Sequence, residues 1–167
     1  EWLPDRLERQ IRILQAHPDL AWVTGNYLRS DSQGRRSPNL TVSESSIRPE
    51  CVSFFKVFIQ GHGGWTGTQL IRRDVFDRVG VFYGEYRITE DLDMWFRIAF
   101  DYPEIGIVYE PVAVYHLDTP DSLIKSRSQE VKPLADFLSR NLRLANERGK
   151  AAEFRPCAAL LLRKWIR

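Results

Sequence analysis

Two runs of β-branched and aromatic residues, "LAWVTGNYL" at 20–28 and "IGIVYEPVAVYHL" at 105–117, set the strongest limit on how this chain can fold. The first reads as a strand. The second is split by Pro111, so it reads as one bent strand or a bent pair. The segments around them have helical period instead. "EWLPDRLERQIRILQAHPDL" predicts a helix: Pro4 suits a first helical position, and Leu3, Leu7, Ile11 and Leu14 recur at helical spacing. The residue before Pro18 is pushed out of helical geometry, so this helix should stop near His17. "RSDSQGRRSPNLTVSESS" is polar and turn-rich, a loop with a candidate hairpin turn at Gln33-Gly34.

The remaining segments continue the mixture. "PECVSFFKVFIQ" predicts a short helix from Pro49, with Val52, Phe55, Phe58 and Ile59 at helical spacing. "TQLIRR" is a short strand, and "DVFDRVG" a turn or two of helix closed by Gly80. Thr89 is a good N-cap for the next helix, whose predicted buried stripe is Leu92, Trp95, Phe96 and Ala99. "DTPDSLIKSRS" is a loop. A long amphipathic helix over about 129–148 carries Val131, Leu134, Leu138 and Leu142 on one face, and "CAALLLRKWIR" is a final basic helix. Strands and helices mixed in this way place the chain in the α/β or α+β class.

Composition narrows the function. The 167 residues are 43% hydrophobic and 28% charged, with five Trp and nine Phe, enough apolar material for a core. The net charge is only +2, and the cations are scattered except at the C-terminus, which argues against nucleic-acid binding. Two cysteines, Cys51 and Cys157, make neither a disulfide framework nor a metal site and read as reduced thiols of a cytosolic protein. No signal peptide and no membrane-spanning run is visible. The chain opens at Glu1, without Met and on a helix-entry sequence, and reads as part of something longer.

Three segments can carry chemistry. "RITEDLDMWFRIA", 87–99, sets Glu90, Asp91 and Asp93 at the start of a helix. Carboxylates favour a first helical turn in any protein, and on spacing alone that is the better reading. A carboxylate at a loop–helix junction can also face a cleft and take a proton from an alcohol. "GHGGWTGT", 61–68, is either a flexible connection or a place where backbone approaches a ligand closely, with Trp65 able to stack on a sugar ring and His62 nearby. His116 beside a strand is more often structural than a ligand, and the three histidines have no zinc spacing. Lys125 and Arg127 read as solvated loop cations. The helix ending in Arg163, Lys164 and Trp165 either packs on the domain or touches a membrane surface or partner.

The order "WLPDRLERQIRILQAHPDLAWVTGNY", "GWTGTQLIRRDVFDRVGVF", "TEDLDMWFRIA", "IVYEPVAVYHL" resembles the C-terminal, acceptor-side half of a family 2 glycosyltransferase with the GT-A nucleotide-sugar fold, over residues 1 to about 127. The resemblance implies an α/β fold, a mixed sheet flanked by helices that lacks the N-terminal nucleotide-binding half, with residues 128–167 as appended amphipathic helices. It implies Asp91 as the general base of an inverting sugar transfer and Glu90 as an acceptor-side residue. Gly67 and Thr68, with Trp65, become pocket residues, and His116 a metal or diphosphate ligand. The cofactor implied is a divalent metal, Mg or Mn, whose main Asp-any-Asp motif is expected upstream of Glu1. The partners implied are a nucleoside-diphosphate sugar and a glycan, lipid-linked or small-molecule acceptor, at a cytoplasmic site that includes the inner membrane face. On this reading the fragment alone is inactive. The rival expectation is a non-catalytic glycan-binding or assembly module that keeps the fold without the chemistry.

Overall fold

The computed structural model describes residues 1–40, 50–62, 65–84, 89–117 and 131–165. They form an α/β protein with a mixed five-stranded sheet. The chain divides into two compact units: residues 1–52, 64–72 and 104–126 make the first, and 53–63, 73–103 and 127–167 the second.

The first unit holds the sheet. Helix α1, Arg6–Ala16, ends at His17 as the following proline dictates. Strand β1, Trp22–Ser30, pairs antiparallel with β2, Arg36–Pro38, through a turn with Gly34 at φ +75°, so the expected hairpin forms. Asp31 builds that turn: its Oδ1 accepts the N–H groups of Gln33 and Arg35. Strand β3, Cys51–Ser53, is followed by helix α2, Phe54–Ile59, so a strand precedes the helix expected from Pro49 and the helix starts later. The short strand β4, Leu70–Ile71, pairs antiparallel with the start of β1 after a 3₁₀ turn at Thr66–Thr68. The last strand, β5, Glu104–His116, runs parallel to β1 over eight register pairs from Val23↔Gly106 to Ser30↔His116. The register slips on either side of Asn26 opposite Pro111, so the two apolar runs are one strand with an irregularity where Pro111 cannot donate to the ladder. The strand order is β2-β1-β5-β3.

The face of α1 is not the one its leucines suggest. Arg6, Gln10, Ile13 and Leu14 are buried, whereas Leu7 and Ile11 are exposed. Ile13 and Leu14 join Leu20, Val23, Val108 and Val112 in the core of this unit. Gln10 is buried because its amide reaches the Thr68 carbonyl at 2.7 Å and its Oε1 accepts from Arg6. A polar residue with both ends satisfied can replace an apolar one at a helix–sheet contact.

The second unit is helical, with α3, Val75–Val79, α4, Glu90–Asp101, α5, Val131–Glu147, and α6, Ala151–Trp165 beside α2. Gly80 closes α3 at φ +79° as expected. Phe96 is its centre: its ring lies 4.9 Å from those of Phe58 and Phe154, 5.5 Å from Phe54 and 6.1 Å from Phe137. Helix α4 carries no single stripe, because every residue from Asp93 to Phe100 is buried while Leu92 is half-buried. Helix α5 buries Leu134, Phe137, Asn141 and Ala145, and leaves the expected Leu142 exposed. Helix α6 starts at Ala151, well before Cys157, and contains Pro156. Cys51 and Cys157 are both free thiols; burial pushes that of Cys157 up to about 12. No helix among the described residues is long and apolar enough to cross a membrane.

Gly25 lies where β1 meets the core. A Cβ there would come within 2.4 Å of Cγ2 of Val112, a buried β-branched side chain with little rotamer freedom. Gly25→Ala is therefore expected to lower stability by about 1–3 kcal/mol, read from the shift in urea midpoint. An unchanged midpoint would mean that β1 and β5 are not in this register.

Candidate functional site

The expected site residues fall in both units. Glu90 and Asp91 belong to the helical unit, and Trp65, Gly67, Thr68 and His116 to the sheet unit. Each group is described within its own unit.

In the helical unit, Thr89 does occupy the N-cap position of α4, but not as an ordinary cap. Its φ is +73°, the one non-glycine residue in the left-handed region among those described, and its side chain caps no helix N–H. The hydroxyl is buried and finds no hydrogen-bond partner among the described residues. A β-branched residue in this conformation is strained by about 1–3 kcal/mol and persists only where surrounding contacts force it. The carbonyl of Thr89 accepts from the Asp93 N–H at 2.8 Å, so the helix begins at once after the strained residue. Glu90 follows, half-buried, with Oε2 enclosed and unpaired. Asp91 is half-buried, and its Oδ1 accepts its neighbour's N–H, that of Leu92, at 2.7 Å.

Asp93 is different in kind. Its side chain is 1% exposed. Oδ2 accepts from Arg97 Nε at 2.8 Å, and Oδ1 accepts from Arg140 Nη2 and, at 3.0 Å, from Asn141 Nδ2. Arg97 also donates to the carbonyls of Val79 and Val81, and the Arg97 and Arg140 guanidiniums both lie over the Tyr83 ring, at 4.6 and 3.9 Å. One desolvated carboxylate thus ties α5 and the 79–83 segment to α4 a single turn beyond Glu90 and Asp91.

In the sheet unit, Trp65 lies against Tyr115 at 5.0 Å and Tyr27 at 5.6 Å, and these two tyrosines are 6.1 Å apart. Gly67 is required by this packing. A Cβ on it would come within 2.5 Å of the Trp65 ring, so the glycine makes room for the protein's own tryptophan rather than for a ligand. The Gly67 carbonyl accepts from Trp2 Nε1 at 3.0 Å. Thr68 is fully buried, its hydroxyl bonded to the Trp65 carbonyl at 2.7 Å and 3.1 Å from the hydroxyl of Thr24. Thr68 holds the loop and lines no surface.

His116 is exposed, with Nε2 3.5 Å from Glu1 Oε2. Among the described residues no group of three or more His, Cys, Asp or Glu side chains is placed to hold a metal ion. Within the described residues the carboxylate nearest His116 is that of Glu1. His62 has a pKa lowered by burial, and its Nδ1 is enclosed and unpaired. Lys125 and Arg127 lie outside the described residues.

Among the described residues, the clefts of the sheet unit include two lined largely by charged side chains. The larger, about 460 Å³, is lined by charged residues of α1 and by Glu50, Tyr109 and Glu110. No expected site residue lines it. Both of its arginines are paired within it, Arg9 to Asp5 and Glu110, Arg12 to Glu8. The smaller, about 370 Å³, is lined by Arg29, Asp31, Arg35, Arg36, Ser37 and Leu117. Read as a polar loop, "RSDSQGRRS" hid this cleft. The hairpin turn was the available signal, because it sets Arg29 opposite Ser37.

No protein-family model matches the chain, and no curated protein matches its sequence. The family resemblance therefore rests on the motif order in the sequence.

Two stability measurements test this arrangement. Asp93→Ala leaves two guanidiniums without their carboxylate and is expected to cost about 3–5 kcal/mol in urea unfolding; a loss below 1 kcal/mol would show that the network carries no weight. Thr89→Gly removes the left-handed strain and the orphaned hydroxyl, and is expected to raise stability by about 1 kcal/mol. A clear fall in thermal midpoint would refute the strain.

Proposed function

We propose that this chain is the acceptor-side portion of an inverting glycosyltransferase of the GT-A type, with Asp91 as its general base. The observation that carries the reading is the motif order, with "TED" at 89–91 where the family sets its base. Two features support it. Asp91 lies in the first turn of a helix that the buried charge of Asp93 anchors, so the carboxylate sits on a rigid element, as a catalytic group requires. And a left-handed Thr89 with a buried unpaired hydroxyl, followed by Glu90 with a buried unpaired Oε2, stands immediately before it, the kind of local cost that functional sites carry.

The chemistry follows from the residue type. Asp91 accepts the proton of an acceptor hydroxyl as that oxygen bonds to the anomeric carbon of a nucleoside-diphosphate sugar. The bond to the diphosphate breaks on the opposite face, inverting the centre, and the nucleoside diphosphate leaves with the electron pair. Glu90 orients the acceptor through its second oxygen.

In an enzyme that includes this chain, Asp91→Asn is expected to lower sugar transfer at least about 100-fold with the thermal midpoint unchanged, the scale of losing a general base. Nucleotide-sugar turnover assayed with product stereochemistry reads both claims. Full transfer by the folded Asn variant would sink the assignment.

A further inference from the structure

Arg6 is the first residue of α1 and is only 4% exposed. Side chains of a helix lean toward its N-terminus. The Arg6 guanidinium does so, and lies 4.0 Å from the centre of the Trp2 ring, four residues earlier. A buried cation thus sits at the N-terminal end of α1, within the sheet unit.

Its charge lacks a counterpart. Nε donates to Gln10 Oε1 at 3.0 Å and Nη2 to the Gln69 carbonyl at 2.9 Å, both neutral acceptors. Nη1 is enclosed and has no hydrogen-bond partner among the described residues. The acids beside Arg6 on α1 are engaged elsewhere, Asp5 by Arg9 and Glu8 by Arg12. Burial lowers the Arg6 pKa. Arginine is almost never buried to this degree without an ionic partner, because stripping water from a charge is costly. The helix adds to the demand for an anion. Asp5 at its N-cap makes no side-chain bond to the first turn, and a helix N-terminus attracts negative charge.

Trp2 covers this group. Its ring is 64% exposed, while its backbone is tied to β5 by the bridge with Ala113 and by the neighbouring Leu3 N–H on the Val112 carbonyl. The side chain is held by one exposed bond, Nε1 to the Gly67 carbonyl at 3.0 Å, and by its contact with the guanidinium. Rotation about the Trp2 side-chain bonds uncovers Arg6 without moving the strand. A carboxylate is a stronger partner for a guanidinium than a neutral ring is.

The surroundings choose among anions. With Nε and Nη2 committed, Arg6 has no two-pronged edge left for a phosphate, and only Nη1 remains to donate. Asp5 and Glu8 on the same turn repel a dianion more than a monoanion. A carboxylate meets both conditions.

We propose that Arg6 binds the carboxylate of a small organic acid at the N-terminal end of α1, with Trp2 opening and closing over it. Binding here is independent of the transferase reading, since Asp91 belongs to the other unit.

The 167-residue chain is titrated by calorimetry with acetate, glucuronate and inorganic phosphate, with chloride holding ionic strength constant. Both carboxylates are expected to bind saturably and more tightly than phosphate. Glucuronate binding more tightly than acetate marks a sugar acid as the ligand, and equal binding a ligand read by its carboxylate alone, each supporting the site. Arg6→Met should weaken binding at least tenfold while the chain stays folded, since an uncompensated buried charge is exchanged for an apolar side chain. Trp2 supplies a second readout that needs no change at Arg6. Acetate should shift the tryptophan emission of the parent along the binding curve, and this shift should vanish in Trp2→Phe, whose site is exposed and tolerant. No saturable binding, phosphate binding as tightly as acetate, an Arg6→Met variant that binds like the parent, or an emission shift that persists in Trp2→Phe overturns the proposal.

Discussion

The parallel pairing of β1 with β5 is the constraint on which the sheet depends. The partners are separated by more than seventy residues, from Ser30 to Glu104. Two parallel strands cannot be joined by a tight turn, so the intervening chain must act as a crossover. That crossover contains β2, β3, β4 and helices α2 to α4. β1 also pairs with β2 at one end and β4 at the other, so it is the strand that most of the sheet registers against. Its glycine at 25, against Val112, and the irregularity at Asn26 are where close packing and a proline have to be reconciled. The Asn26 side chain fills the gap, donating to the carbonyls of Leu40 and Tyr109 and accepting from the N–H of Leu40. A buried amide used at both ends costs little, and it keeps a slipped ladder from leaving open backbone groups.

In the helical unit the corresponding constraint is electrostatic. Asp93 is stripped of water and must be paired, so Arg97, Arg140 and Asn141 have to come to it. Removal of such a partner is far more costly than the net worth of the pair, which makes the network a specifier of geometry more than a source of stability. The same arginines hold the carbonyls of Val79 and Val81 and the Tyr83 ring. The start of α4 is therefore defined from several directions, and the left-handed Thr89 is tolerated within that frame. Strain at Thr89 and rigidity at Asp93 are two sides of one arrangement.

Much of this was legible from residue type alone. The main strands, the stop at His17, the hairpin and Gly80 follow from backbone stereochemistry and local pattern. The misread features share a cause. The leucines of α1 and α5 mark an apolar period, but a helix turns the face that its neighbours can satisfy. Gln10 and Asn141 could be buried because partners far along the chain met their amides: Thr68 for Gln10, Asp93 for Asn141. Helix α4 was expected to have one stripe, yet Asp93 and Arg97 are buried because they neutralise each other. In the "GHGGWTGT" segment, glycine suggested room for a ligand, while the room at Gly67 is filled by Trp65.

What the sequence determined by itself is local: where strands and helices lie, where turns must form, and which residue types could do acid–base chemistry. These depend on steric and hydrogen-bonding preferences within a few residues, which are written in the residues themselves. Only the tertiary structure decided which polar side chains are buried, that Thr89 is held in a left-handed conformation, and that Arg29, Arg35 and Arg36 line one cleft at the ends of two parallel strands. Each of these depends on partners distant in sequence, because burial of a charge or an amide is stable only when another element brings its counterpart to the same place.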